Sequence, residues 1–181
     1  MHDVDRLFRL YHVPLVRYLT RRLGDRDWAE EVAQETFLRA LRQESIASER
    51  AWLFAVATNL VRDEARRDAR RRRHLELLVQ EERAREEEEV DGAQLASLEA
   101  EQERAQEAAL ARRAVDTLAE RDRLALLMRE EGLDYGEIAE ALGLSVGSIG
   151  TTLSRARRRL AETYEALQRQ AGRERSGNAA S

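Results

Sequence analysis

The chain has no cysteine, no lysine, one proline, three histidines and no long apolar run. Without cysteine, disulfides and thiolate metal sites are excluded. His2, His12 and His74 are scattered and show no metal-ligand spacing. No stretch approaches the ~20 consecutive apolar residues of a membrane span, and the N-terminus lacks the apolar run of a signal peptide. A soluble, cytoplasmic protein without membrane insertion is therefore expected. Pro14 is the single proline, charged residues make up 36% of the chain, and nothing resembles alternating β-branched strands. That combination predicts an all-α protein. Nucleophile–base pairs, metal-ligand clusters and glycine-rich phosphate loops are also missing, so no enzyme, cofactor or small-molecule substrate is expected. The missing lysine means only that every cation other than histidine is an arginine.

What is present is charge, unevenly distributed. The formal net charge is −4 over 181 residues, but it divides sharply along the chain. Arg62 to Arg73 holds seven arginines against three acids, and Thr151 to Arg175 again holds seven against three, each stretch at +4. Between them, His74 to Glu107 holds twelve acids against three arginines, at −9. Affinity for phosphates follows the contact patch and not the net charge, so two basic patches separated by an acidic segment suit a nucleic-acid partner.

Hydrophobic spacing divides the chain into two helical blocks. In the first, Val4, Leu7, Phe8, Leu10, Tyr11, Leu15, Val16, Tyr18 and Leu19 predict an amphipathic helix ended by Gly24. Asp27, with Glu30 in the box position, is expected to cap the next helix, which buries Ala29, Val32, Ala33, Thr36, Phe37, Ala40 and Leu41. Its other face carries Glu30, Glu31, Gln34, Glu35, Arg39 and Arg42. Ser48 can cap a third helix through Trp52, Leu53, Ala55, Val56 and Leu60 into the arginine run. Residues 1–73 read as one small domain, 74–107 as an acidic linker (a solvated helix, a tether, or both), 108–170 as a second domain, and 171–181 as a disordered tail.

The second block contains a helix-turn-helix. Asp134 and Glu137 form a capping box, Ile138, Ala139 and Leu142 make one stripe, Gly143 breaks the helix, and Ser145 caps the next. In that next helix Val146, Ile149, Leu153, Ala156 and Leu160 are expected to face inward. Ser148, Thr151, Thr152, Arg155 and Arg158 are left facing outward. A short helix presenting small polar groups and arginines fits a DNA major groove, although a tight helical hairpin with a glycine turn would share much of the pattern.

Three motifs occur in one order. Trp28-Ala29-Glu30-Glu31-Val32-Ala33-Gln34-Glu35-Thr36-Phe37-Leu38-Arg39-Ala40, then Ala51-Trp52-Leu53-Phe54-Ala55-Val56-Ala57-Thr58-Asn59-Leu60-Val61-Arg62-Asp63, then the helix-turn-helix ending Leu153-Ser154-Arg155-Ala156-Arg157-Arg158-Arg159-Leu160. Together they resemble the bacterial extracytoplasmic-function sigma factors, over residues 4–73 and 108–167. The resemblance implies a sigma factor that binds core RNA polymerase, through the β′ clamp helices and the β flap, and directs promoter DNA recognition and opening. It assigns Glu31, Gln34, Glu35 and Arg39 to the polymerase. In the family one minus-ten base is extruded and captured, which needs a pocket, a group for the base edge and cations for the backbone. Asn59 matches the motif's asparagine, with Arg62, Arg66 and Arg67 for phosphates and the Glu44–Arg50 loop, including Arg50, as the pocket wall. Trp52 could stack on a base or serve the core. For the minus-thirty-five duplex, Arg155 matches the motif's arginine, beside Ser148, Thr151, Thr152 and Arg158.

The reader departs from the family at Gly150 and Thr152, where basic residues are common. Gly147 and Gly150 each weaken a helix by ~1 kcal/mol against alanine, in return for close backbone approach to DNA or for nothing. The linker, in the family, lies in a polymerase channel built for nucleic acid, and its acidity suits mimicry of RNA or an inert tether. No attached sensor is evident in the sequence, so control by a separate anti-sigma factor or through expression is expected. Two rivals use the same residues differently: an operator-binding regulator independent of polymerase, and a helical adaptor.

Overall fold

The computed structural model describes residues 4–75 and 95–178, with side chains described over 4–66 and 104–173. All regular structure in the described residues is helical.

Helix α1 (Val4–Leu23) buries Leu7, Leu15, Val16, Tyr18 and Leu19, and continues through Pro14. Gly24, at φ 76°, ends it in a left-handed conformation that a side chain would strain. Helix α2 (Arg26–Leu41) is capped by Asp25 and not by Asp27: the extended Asp25 accepts the Trp28 amide at 3.0 Å. Asp27 instead sits in the first turn, where its charge complements the helix N-terminus. The α2 core face is as expected except for Leu41, which is 60% exposed at the helix end. In α1, Phe8, Leu10 and Val13 are likewise exposed.

Helix α3 (Glu49–Leu75) follows Ser48, whose carbonyl accepts the Trp52 amide at 2.8 Å. It crosses α1 and α2 and buries Ala51, Leu53, Phe54, Ala57 and Val61. Tyr18 packs on Phe54 at 5.0 Å between ring centroids, and its hydroxyl meets Thr58 Oγ1 at 2.7 Å. A buried hydroxyl pair of this kind satisfies both groups where water is excluded. Burial pushes the Tyr18 phenol pKa up, against the pull of Arg22 and the Thr58 bond.

Helix α4 (Leu95–Asp116) occupies the second half of the expected linker; its alanines, glutamates and arginines are good helix formers. Residues 76–94, the rest of that linker, lie outside the described residues. Helices α5 (Glu120–Glu130), α6 (Tyr135–Leu142) and α7 (Val146–Asn178) complete the chain. The predicted capping box is present, with Asp134 accepting the Glu137 amide and Glu137 accepting the Asp134 amide, both at 2.8 Å. Gly143 ends α6 at φ 65°, the left-handed turn expected of it. Helix α7 runs on to Asn178, through most of the stretch read as a disordered tail.

The two blocks do not stand apart. α1 packs on α5 and α3 on α6, so that Leu7, Leu53 and Phe54 share one continuous buried cluster with Leu124, Met128, Leu133 and Ile138.

Candidate nucleic-acid interface

Helix α3 presents Asn59 to solvent in the middle of its length. One turn on, Arg62 is partly exposed, and Arg66 lies 3.6 Å from Asp63 on the open face. Arg67 is on the same helix, outside the residues whose side chains are described. Trp52 packs against the core, which favours the structural half of the two roles open to it. The expected pocket loop is shorter than its 44–50 span, because Glu49 and Arg50 already belong to α3. Its middle is anchored by buried Ile46.

Arg50 and Arg62 are engaged by the second block. Arg50 donates to the Glu131 carbonyl and lies 3.7 Å from the Glu137 carboxylate. The Arg62 Nε donates to Glu120 at 3.0 Å. Arg22, on α1, reaches the same Glu120 oxygen at 3.2 Å and donates from its other nitrogen to the Thr58 carbonyl, next to Asn59. Burial lowers the Arg22 pKa, with Tyr18 and Glu120 opposing and Arg62 adding to the effect. Burial alone would raise the Glu120 pKa, but the Arg62 hydrogen bond and the charges of Arg62, Arg22 and Arg123 hold it below its ordinary value. Arg22 carried no sequence signal, since it sits between Arg21 and Leu23 at an unremarkable helix end.

Helix α7 carries the second surface. Gly150, Thr151, Ser154, Arg155 and Arg158 line an open groove of about 420 Å³. Thr151, Ser154 and Arg158 are exposed, while Ser148 turns its hydroxyl back to the Ser145 carbonyl at 2.7 Å. Thr152 does not face outward as expected: it is 4% exposed. It lies three residues after Ile149 and four before Ala156, on the shoulder of the buried stripe, so helical geometry turns it inward. Val146 departs the opposite way, 56% exposed at the first turn of α7. Ser154, absent from the expected readers, is on the open face instead.

Arg155 is held by Asp122, a buried carboxylate on α5, through Nε at 3.3 Å and Nη2 at 3.1 Å. The hydrogen bonds to Asp122 and its charge raise the Arg155 pKa. A bidentate pair of this type fixes the guanidinium plane and ties α7 to α5. Neither reader glycine is required by packing: an added Cβ meets open space at Gly147 and only the Tyr135 ring, at 3.7 Å, at Gly150.

On α2, Glu31, Gln34 and Arg39 are exposed and Glu35 partly so, with Arg39 donating to Glu35 at 2.9 Å. Leu38 and Leu41, 50% and 60% exposed, border this strip. Sequence periodicity places Leu41 on the core face and leaves Leu38 on neither face, so neither leucine was expected on this surface. Trp28 donates to Glu64 at 3.0 Å across a cleft of about 190 Å³ between α2 and α3.

Known proteins match in the same two blocks. Sigma-70 region 2 matches residues 7–71, and Sigma-70, region 4 matches residues 108–160. The ferric citrate uptake sigma factor FecI of Escherichia coli is 30% identical over 157 residues, covering 84% of this chain and 85% of that one. The chain is an extracytoplasmic-function sigma factor. The RNA polymerase sigma factor YlaC of Bacillus subtilis is 29% identical over 160 residues, 86% of this chain and 88% of its own. Among solved structures, the sigma factor RpoE of Bartonella quintana, crystallised with the anti-sigma factor NepR, shares the fold with a TM-score of 0.63 at 22% identity, over 91% of this chain and 98% of that one.

A sigma factor binds core RNA polymerase and promoter DNA and directs transcription initiation, and the family is non-catalytic. Among the described residues no cluster of His, Asp or Glu is placed to hold a metal, and no helix is long and apolar enough to cross a membrane.

Proposed function

We propose a division of labour within this sigma factor. Residues 1–73 dock on polymerase and open the minus-ten element, 108–170 read the minus-thirty-five duplex, and 74–107 connect them as an acidic linker. The tail, 171–181, takes no part in recognition. Docking on the β′ clamp helices uses Glu31, Gln34, Glu35 and Arg39, and the exposed Leu38 and Leu41 beside them supply the apolar contact that a purely charged strip lacks. The second unit also meets the β flap. Asn59 captures the extruded minus-ten base, having both a donor and an acceptor for its edge. Arg62, Arg66 and Arg67 bind the strand's phosphates, with Arg50 at the pocket edge. On duplex, Thr151, Ser154 and Arg158 contact the groove and backbone, Ser148 and Arg155 hold the reader's shape, and Thr152 packs beneath it. The protein acts in the cytoplasm under a separate anti-sigma factor, the kind of partner seen with RpoE in the Bartonella quintana complex.

The observation that carries this reading is Asn59, solvent-facing on α3 one turn from Arg62. It is tested by transcription with core polymerase on a promoter located by start-site mapping after overexpression. Wild type is expected to give runoff product, and Asn59→Ala to bind the same promoter but fail to open it, with activity restored on a template already unpaired at minus ten. Promoter binding by the protein alone with no product from the reconstituted polymerase overturns the reading in favour of an operator-binding regulator. Unchanged transcription by Asn59→Ala removes the residue's assigned role.

A further inference from the structure

Glu120 receives two guanidinium groups on one carboxylate oxygen, from Arg22 at 3.2 Å and Arg62 at 3.0 Å. The two arginines come from different helices of the first block, while Glu120 begins α5 of the second. With the second block docked, the Arg22 side chain is 5% exposed and that of Glu120 46%, so the carboxylate sits at the outer edge of the pair. From behind, the Thr58 carbonyl accepts from Arg22 at 3.2 Å, and the Thr58 hydroxyl meets that of Tyr18 at 2.7 Å; Thr58 is the residue before Asn59. Two like charges converging on one point destabilise each other unless an anion lies between them. A planar guanidinium pair is also well matched to tetrahedral phosphate oxygens.

We propose that Arg22 and Arg62 form a phosphodiester-binding site for the opened minus-ten strand, and that Glu120 fills it when the second block is docked. The second block is then a built-in competitor: its carboxylate must leave before the strand's phosphate can enter. This inference rests on the assignment of α3 to the minus-ten strand. It adds Arg22 to the DNA-binding residues, and it makes separation of the two blocks a precondition for full use of α3. The geometry also accounts for an arginine side chain so well covered at the junction of the blocks. A charged group almost never lies buried without a partner, and here the partner is supplied by whichever anion occupies the site.

Binding of a short fluorescein-labelled single-stranded DNA of mixed sequence to the full chain, followed by anisotropy, tests the site without a known promoter. Glu120→Gln is expected to tighten binding about fivefold, the upper range for a partly exposed ion pair. Glu130→Gln, on the same helix and exposed, makes the same charge change away from the site and is expected to have a much smaller effect. Arg22→Gln in the Glu120→Gln background should remove the gain. Should circular dichroism show that Arg22→Gln unfolds the protein, Arg62→Gln in the same background reads the same site. Equal affinities for Glu120→Gln and Glu130→Gln, or a gain that survives loss of the arginine, overturns the proposal. Runoff transcription with core polymerase separates the two levels. If both wild type and Glu120→Gln initiate while their strand affinities match, the phosphate site is wrong and the sigma assignment stands. Failure of both to initiate counts against the assignment of α3 itself.

Discussion

The two helices proposed to face DNA differ in what already occupies them. On α7, Thr151, Ser154 and Arg158 look into an open groove, and the partly exposed Arg155 is held by a neighbour in its own block. On α3, Arg50 and Arg62 are held by carboxylates and a carbonyl of the other block. On the proposed assignment, the duplex reader is therefore presented in the docked conformation, and the proposed strand-opening surface is partly covered. A protein arranged this way can meet a promoter's duplex element without exposing all its single-strand contacts. In the α3 case ion pairs add to a shared apolar core, so single side chains should loosen the restraint without removing it.

The largest effect is expected at Glu131, which holds the blocks together more directly than Glu120. Its side chain is 1% exposed, and it accepts from Arg17 at 3.0 and 2.8 Å and from Arg21 at 3.2 Å. Both arginines belong to α1 and are about half exposed, so they regain water when the carboxylate goes. Glu131→Ala is expected to weaken docking by about 2 kcal/mol, since charge-assisted hydrogen bonds are lost but no buried cation is stranded. That is roughly a thirtyfold shift toward separated blocks. Hydrogen exchange along α5 and α6 should speed up, with a larger radius of gyration in solution scattering. Unchanged exchange would mean that the shared apolar cluster alone holds the blocks, and the contrast between α3 and α7 would lose its electrostatic cause.

Local chemistry made most of the second block legible in advance. The capping box at Asp134 and Glu137 and the left-handed Gly143 are determined by residues within a few positions, and both fall where the sequence puts them. The N-cap of α2 was displaced by two residues because Asp25 and Asp27 are chemically equal candidates, and only the approach of the chain from Gly24 decides between them. Exposed Asn59 and the polar strip of α2 were also readable, as motif positions on an amphipathic helix. Contacts between distant segments were not. Nothing in periodicity pairs Arg62 with Glu120, Arg17 with Glu131 or Arg155 with Asp122, since each depends on how helices far apart in sequence meet. The acidic stretch drew attention as the counterpart of the basic patches, yet the carboxylates that meet Arg50 and Arg62 come from α5 and α6 beyond it.

A smaller effect, confined to the second block, should separate bracing from base readout at Arg155. If the Asp122 pair is chiefly a brace, Arg155→Ala and Asp122→Ala both lower the melting temperature, because each loss leaves α7 untied from α5. Both should also weaken duplex binding about tenfold, alike for all base substitutions in the site. Asp122→Asn keeps hydrogen-bonding capacity without the charge and should fall between them and wild type. The result that reverses this is Arg155→Ala with unaltered melting and relaxed preference at a single base pair, which would make Arg155 a reader that the duplex draws away from Asp122.

The smallest effect is expected at Arg158, where the α7 surface is most open. Its nearest carboxylate, Glu162, is 3.9 Å away, and both side chains are about 70% exposed, a geometry in which an ion pair adds little to stability. Arg158→Ala should therefore leave the melting temperature unchanged. Exposed at the edge of the groove, it is suited to one phosphate contact, and losing that contact releases one fewer counterion on binding. The slope of log affinity against log salt should fall by about one unit, with base preference retained. The same slope measured on Glu131→Ala gives the other half of the comparison. Opening the blocks should steepen the salt dependence of single-strand binding, by freeing cations on α1 and α3, while leaving that of duplex binding on α7 as it was. A change of both slopes together would mean that the two surfaces are not independently available.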